Sequence, residues 1–335
     1  MKYKINIAEN KSEIITIILL LLLSLITLVR PFFYADADIH DSVRYALMVE
    51  FFRGNVSIDT INYFWRTNPL VTFLASLLPF EAMLSMDIIS LIFHLLSVFF
   101  FYKFLQNLEV NHKLHILGTL IYIFSAPTIV LGFTPLTDSA GMFFVIFTLY
   151  LHEKLDKTPR NSILIGITIA VGIIARDTLL VMIPIFIIWK IIDEGIHWKD
   201  LILYIIYISL IPLLTYLILK ILVDFQFLFN TITFNIPDII KNFEDLREER
   251  TLATIAQLTL ILLTGLYANL SKIFKFSKQI WKLLIGMSLF LIPWIYAFIY
   301  ADMSFRFFWQ FFVFAIPLLI LGIQEFNRNS KEAIE

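Results

Sequence analysis

A chain of 335 residues that is 59% hydrophobic, with a mean hydropathy of +0.83, carries more apolar surface than one or two soluble cores of that length would bury, so it reads as a polytopic membrane protein. The formal net charge of -1 excludes nucleic-acid binding, which needs a basic face to neutralise phosphates. Cysteine is absent, which excludes disulfides, thiolate nucleophiles and thiolate metal sites; any metal would be held by oxygen or imidazole.

The basic lead "MKYKINIAENKSE" and the apolar run "IITIILLLLLSLITLV" imitate a signal peptide. No small-residue cleavage motif follows, so the run is read as a retained first helix. Further apolar runs, each near the roughly 20 residues that cross the hydrocarbon, lie at 84 to 106, 114 to 133, 135 to 151, 162 to 176, 178 to 192, 201 to 223, 252 to 270, 283 to 300 and 306 to 324. The expectation is an all-α polytopic membrane protein of about ten transmembrane helices, forming one module over 1 to 335 with no soluble C-terminal domain. The runs on either side of "IARDTL" are joined by a tight turn or are partly re-entrant.

Between the first two spans, residues 32 to 87 form a loop too long for a plain connector. It holds two helix-like pieces. "DSVRYALMVEFFRGN" starts with Asp41 as an N-cap and stops at Gly54, and "NPLVTFLASLLPF" opens with Pro69 in its first turn. Pieces this short lie on a membrane rather than cross it, so the loop reads as a platform at the interface. The sequon "NVS" at Asn55 falls at the end of the first piece, where sterics oppose glycosylation.

Basic residues set the orientation. With a cytoplasmic N-terminus nearly all the lysines fall in inner loops, whereas Arg30, Arg44, Arg53, Arg66, Arg176, Arg247, Arg250 and Arg306 fall outside. Lysine is a mobile point charge, while arginine is a rigid fork suited to carboxylates and phosphates. An outer face holding most of the arginines therefore looks like a site. Asp138 at the start of the fourth span, Arg176 and Asp177 in the tight turn, and Asp302 and Arg306 before the last span add charge at membrane depth. Salt bridges that only tie the bundle together are the competing explanation for each of them.

In order along the chain, "DSVRYALMVEFFRGN…NPLVTFLASLLP", "TPLTDSAGMFFVIFTLYL", "GITIAVGIIARDTLLVMIP" and "SFRFFWQFFVFAIPLLIL" resemble the motifs of GT-C superfamily membrane glycosyltransferases of the protein mannosyltransferase and lipid A aminoarabinose transferase type. The resemblance spans most of the chain. Its positions are Asp41, Tyr45, Ala46, Gly54, Pro69 and Leu70 in the first loop. Asp138, Arg176 and Arg306 follow. Two departures stand out: Ser42 follows Asp41 where the family often has Glu, and Arg176 stands where it often has Lys. The resemblance implies transfer of a sugar from a polyprenyl (dolichyl or undecaprenyl) phosphate to an acceptor, a lipid, glycan or protein, on the outer face of the cell membrane.

Such a transfer needs a base for the acceptor hydroxyl, cations for the departing phosphate and an apolar groove for the lipid tail. By family position Asp41 is the base, with Asp38 in reserve; an N-cap that partners Arg44 is the plainer role for Asp41. Arg306, Arg176 and Arg66 are the candidate phosphate clamps, although Arg306 has aromatic neighbours on which to stack and Arg66 suits an interfacial anchor. Asp138, Tyr45 and Asp302 are assigned to substrate binding. Acceptor recognition falls to the loop at 224 to 251 or to a partner protein. No cofactor is required by the pattern; Asp36 and Asp38 are where carboxylates would take a divalent metal such as magnesium or manganese. The competing classes are a secondary transporter or flippase, whose sites lie near the midplane in repeated halves, and a non-catalytic relative that binds lipid-linked sugars.

Overall fold

The computed structural model describes residues 7–29, 39–61, 68–108, 110–132, 134–156, 158–223, 249–275, 277–300 and 305–332. Among these residues the chain is helical with no strand. The elements run α1 (Ile7–Val29), α2 (Ile39–Phe52), α3 (Pro69–Ser76), α4 (Ala82–Asn107), α5 (His112–Ile123), α6 (Ala126–Leu131), α7 (Asp138–Lys154) and α8 (Pro159–Ala175). Then come α9 (Met182–Glu194), α10 (Trp198–Val223), α11 (Glu249–Ala268), α12 (Leu270–Phe274), α13 (Lys278–Tyr300) and α14 (Trp309–Glu332). Five of them, α4, α10, α11, α13 and α14, have stretches long and apolar enough to cross a membrane. The chain is a multi-pass membrane protein.

The core is built on α7, which packs along α4 and against α8, and on α14, which packs along α11. α7 is buried from Asp138 to His152 with little interruption. α10, by contrast, covers α8 on one side and shows Ile202, Ile206, Leu210, Leu213, Leu217 and Ile221 on the other. An apolar face of that length on a bundle of this composition is a face for lipid.

Two differences from the sequence reading have local causes. The run expected at 114 to 133 is split at Phe124 and Ser125 into α5 and α6, because Pro127 has no amide to donate and its ring opposes a helical turn before it. The link between the runs at 162 to 176 and 178 to 192 is a tight turn: Arg176 takes extended backbone at the end of α8, and Asp177–Val181 follows as one 3-10 turn.

α2 stops as its sequence suggests. Gly54 takes a φ of 80°, with Asn55 N–H donating to Glu50 C=O at 2.9 Å and Gly54 N–H to Phe51 C=O at 2.9 Å. This is the paired closure of a Schellman ending, where a side chain at the left-handed position would be strained. The Asn55 amide donates to the Glu50 carboxylate; that bond, with Arg53 beside it, holds the Glu50 carboxyl below its usual value. The sequon side chain is thus already engaged.

α11 and α14 touch at glycines. A Cβ on Gly265 would lie 2.9 Å from the backbone nitrogen of Leu319, and one on Gly322 would lie 2.6 Å from Cβ of Ala268. Asn269 Nδ2 donates across the same crossing to Leu318 C=O at 2.7 Å. Small residues that let two backbones approach, joined by a polar side chain, are how helices hold together without a hydrophobic drive. Gly265→Val must push the two backbones apart, and we expect it to lower stability by about 1–3 kcal/mol, measured as thermal unfolding in detergent micelles. An unchanged melting temperature would show that the crossing is not tight.

Candidate functional site

Four charged side chains from four separate elements meet at one end of the bundle. Asp138 is the first residue of α7 and is 4% exposed; Arg176 caps α8 and is 9% exposed. Arg176 Nη1 donates to Asp138 Oδ1. Arg306, in the 3-10 turn Phe305–Phe308, reaches the same carboxylate from the other side, with Nη2 3.2 Å from Oδ2. Its Nη1 donates to Asp41 Oδ2 at 2.8 Å. The order Asp41, Arg306, Asp138, Arg176 is an alternating chain of charges with no net charge.

Local structure explains each placement. Arg176 runs beside a residue without a side chain: a Cβ on Gly141 would lie 2.7 Å from Arg176 Cδ. The chain that carries Arg306 is held by its neighbours at the start of α14. Trp309 Nε1 donates to Thr128 Oγ1 of α6 at 2.8 Å, and Gln310 Nε2 donates to Thr178 Oγ1, two residues past Arg176, at 3.2 Å. The turn before α7 is held from two sides, because Ser90 Oγ donates to Leu136 C=O at 3.0 Å and Ser139 Oγ to Leu131 C=O at 2.9 Å. Buried polar groups in a bilayer must be satisfied from within, and these bonds do that while setting the arginines.

Asp41 enters from α2. It is the third residue of that helix rather than its cap, so the N-cap expected from sequence is replaced by a place in the first turn. Its carboxylate meets Arg306, 265 positions later in the chain. Arg306 itself is engaged by two carboxylates, Asp41 and Asp138. Tyr45, one turn after Asp41, is buried with its hydroxyl 3.3 Å from Thr137 Oγ1, next to Asp138. Burial pushes the Tyr45 hydroxyl above its usual pKa, so it stays protonated and acts as a neutral donor or acceptor.

Asp36, Asp38, Arg66 and Asp302, with the loop residues 224 to 248, lie outside the described residues. Among the described residues no three His, Asp or Glu side chains are arranged to hold a metal ion.

Two features escape a reading of the sequence. Arg53, which sequence groups with the outer arginines, is a staple: it pairs with Glu50 at 2.8 Å and donates to Leu78 C=O at 2.9 Å, Phe80 C=O at 2.8 Å and Ser85 Oγ at 3.1 Å. A guanidinium at the end of a helix satisfies its terminal carbonyls and favours its dipole, so α2, α3 and the start of α4 form one plate. At the opposite end, buried Lys282 of α13 meets Glu153 at 2.7 Å and Asp193 at 3.2 Å, with its ammonium 5.0 Å from the Trp189 ring. The only signal for it in sequence is that all three charges fall at ends of apolar runs on one side.

The two charged ends keep their members apart. Asp41, Asp138, Arg176 and Arg306 meet at one, while Lys103 with Glu13, and Lys282 with Glu153 and Asp193, meet at the other. No protein-family model matches the chain, and no curated protein sequence matches it.

Proposed function

We propose that this protein is a membrane glycosyltransferase of the GT-C type, moving a sugar from a polyprenyl phosphate to an acceptor on the outer face of the cell membrane. The observation that supports it is the convergence of Asp41, Asp138, Arg176 and Arg306 at one end of the bundle. In this reading about ten spans alternate in direction, the N-terminus is cytoplasmic, and α2 and α3 lie on the outer interface. The separate charge clusters at the two ends fit that alternation.

The reaction follows from the groups. The acceptor oxygen forms a bond to the anomeric carbon as the bond from that carbon to the phosphate oxygen breaks, and the electron pair leaves with the phosphate. The acceptor proton goes to the Asp41 carboxylate. Arg306 and Arg176 face the negative charge that builds on the departing phosphate, a role for which a planar fork is suited. Asp138, beneath both guanidiniums, acts on substrate through the arginines it orients. Tyr45 supplies a neutral hydroxyl beside them.

The test is transfer of radiolabelled sugar from a panel of polyprenyl-phosphate sugars by the protein in proteoliposomes. Transfer or donor hydrolysis is the expected result. Folded protein that neither transfers nor hydrolyses any donor would move the reading to a lipid-sugar binding or transport role.

A further inference from the structure

Arg306 holds two carboxylates at once, and the two contacts differ. Nη1 to Asp41 Oδ2, at 2.8 Å, is an aligned hydrogen bond as well as an ion pair. Nη2 to Asp138 Oδ2, at 3.2 Å, is an ion pair without hydrogen-bond alignment. Alignment ties a guanidinium to a direction, whereas a bare ion pair tolerates rotation.

The two carboxylates also differ in what they have besides Arg306. Asp138 keeps Arg176 on its other oxygen, so it remains neutralised whatever Arg306 does. Asp41 sits nearer the surface, its side chain 27% exposed against 3% for Asp138. An anion reaching the site thus meets the Asp41 edge of the chain first. There it competes with one carboxylate for one edge of a guanidinium, and winning that edge strands no buried charge. The converse exchange, at Asp138, would disturb a pair sealed inside the bundle, where separation is costly.

The same contact covers the base. Oδ2 of Asp41, one of the two carboxylate oxygens to which the acceptor proton could go in the proposed reaction, already accepts from Arg306. We infer that Arg306 is a two-position guanidinium: turning about its contact with Asp138, it leaves Asp41 for the phosphate of the donor and so uncovers the base. This rests on the transferase reading of the site. It makes the site ordered: the acceptor hydroxyl meets an uncovered carboxylate only when a phosphate is in place to leave. Asp138 is the fixed counter-ion of this exchange, a positioning residue rather than a ligand.

The exchange is read with the full-length wild-type protein in micelles, using farnesyl phosphate as the probe and a hydrophobic carbodiimide as the label. A carboxylate oxygen held in contact with a guanidinium is shielded from the label, and one released at the membrane surface is open to it. Saturating farnesyl phosphate is expected to raise labelling at Asp41 several-fold by mass spectrometry, while Asp138, still paired with Arg176, stays unlabelled. In Arg306→Gln, Asp41 labelling is expected to be high from the start and indifferent to the probe. Binding of the probe, seen as a saturable rise in Tm, with no rise in Asp41 labelling would overturn the hand-off and leave the transferase reading standing. A wild-type protein whose Tm does not respond to farnesyl phosphate at any concentration would overturn the transferase reading itself.

Discussion

Asp41→Asn is expected to lower the rate of sugar transfer by about 100- to 10,000-fold, the range over which a positioned general base acts. Asparagine keeps the shape and an oxygen for Arg306 Nη1, so the contact at 2.8 Å can persist as a weaker, neutral-acceptor bond. What it loses is the capacity to carry the acceptor proton. The check is transfer beside donor binding in the same preparation: transfer falls while binding of the polyprenyl phosphate holds or improves, because Arg306 is held less firmly. Were Asp41 only a tie between α2 and the turn before α14, the pattern would reverse, with transfer little changed in the surviving folded protein and Tm reduced.

The second large effect concerns stability. Asp138→Leu leaves the guanidinium of Arg176, 9% exposed, facing a hydrocarbon side chain, and removes the inner counter-ion of Arg306. Breaking a buried pair from one side costs about 3–5 kcal/mol, since the remaining charge has lost its solvent and its partner. Joining the change to Arg176→Met should restore most of that loss. Methionine can follow the track of the arginine stem past Gly141, and the pair Arg306 with Asp41 survives untouched. The double variant is expected to unfold near the wild type while transferring no sugar. A double-mutant cycle measures the difference. Additive losses would show that Asp138 and Arg176 are not a coupled pair.

Most of this site is legible in sequence as separate residues and none of it as pairs. Asp138, Arg176 and Arg306 stand at ends of apolar runs, where an ionisable group is expensive enough to draw notice. Which carboxylate meets which guanidinium depends on how helices pack across the bundle, and 265 positions separate Asp41 from Arg306. Charge alone also misleads: Arg53 looks like a further site arginine, but its donors go to the carbonyls of Leu78 and Phe80 between α3 and α4. Lys282 reads in sequence only as an inner lysine, because its role needs Glu153 and Asp193 from two other helices. The division of the third apolar run is written in Pro127 and masked by hydropathy, which averages over one proline.

α7 bears an ion pair at each extremity, Asp138 with two arginines at its start and Glu153 with Lys282 near its finish. The 17 residues between Asp138 and Lys154 measure roughly 25 Å at the rise of an α-helix. Such a helix is a strut seated in two sockets. A slide of one residue, roughly 1.5 Å, or a tilt large enough to open one rim unseats both sockets together. Machines that rock two halves of a bundle need elements that swing at low cost, and the central element here resists swinging. Motion is left to the rim, where one guanidinium can turn while the frame beneath it stands still.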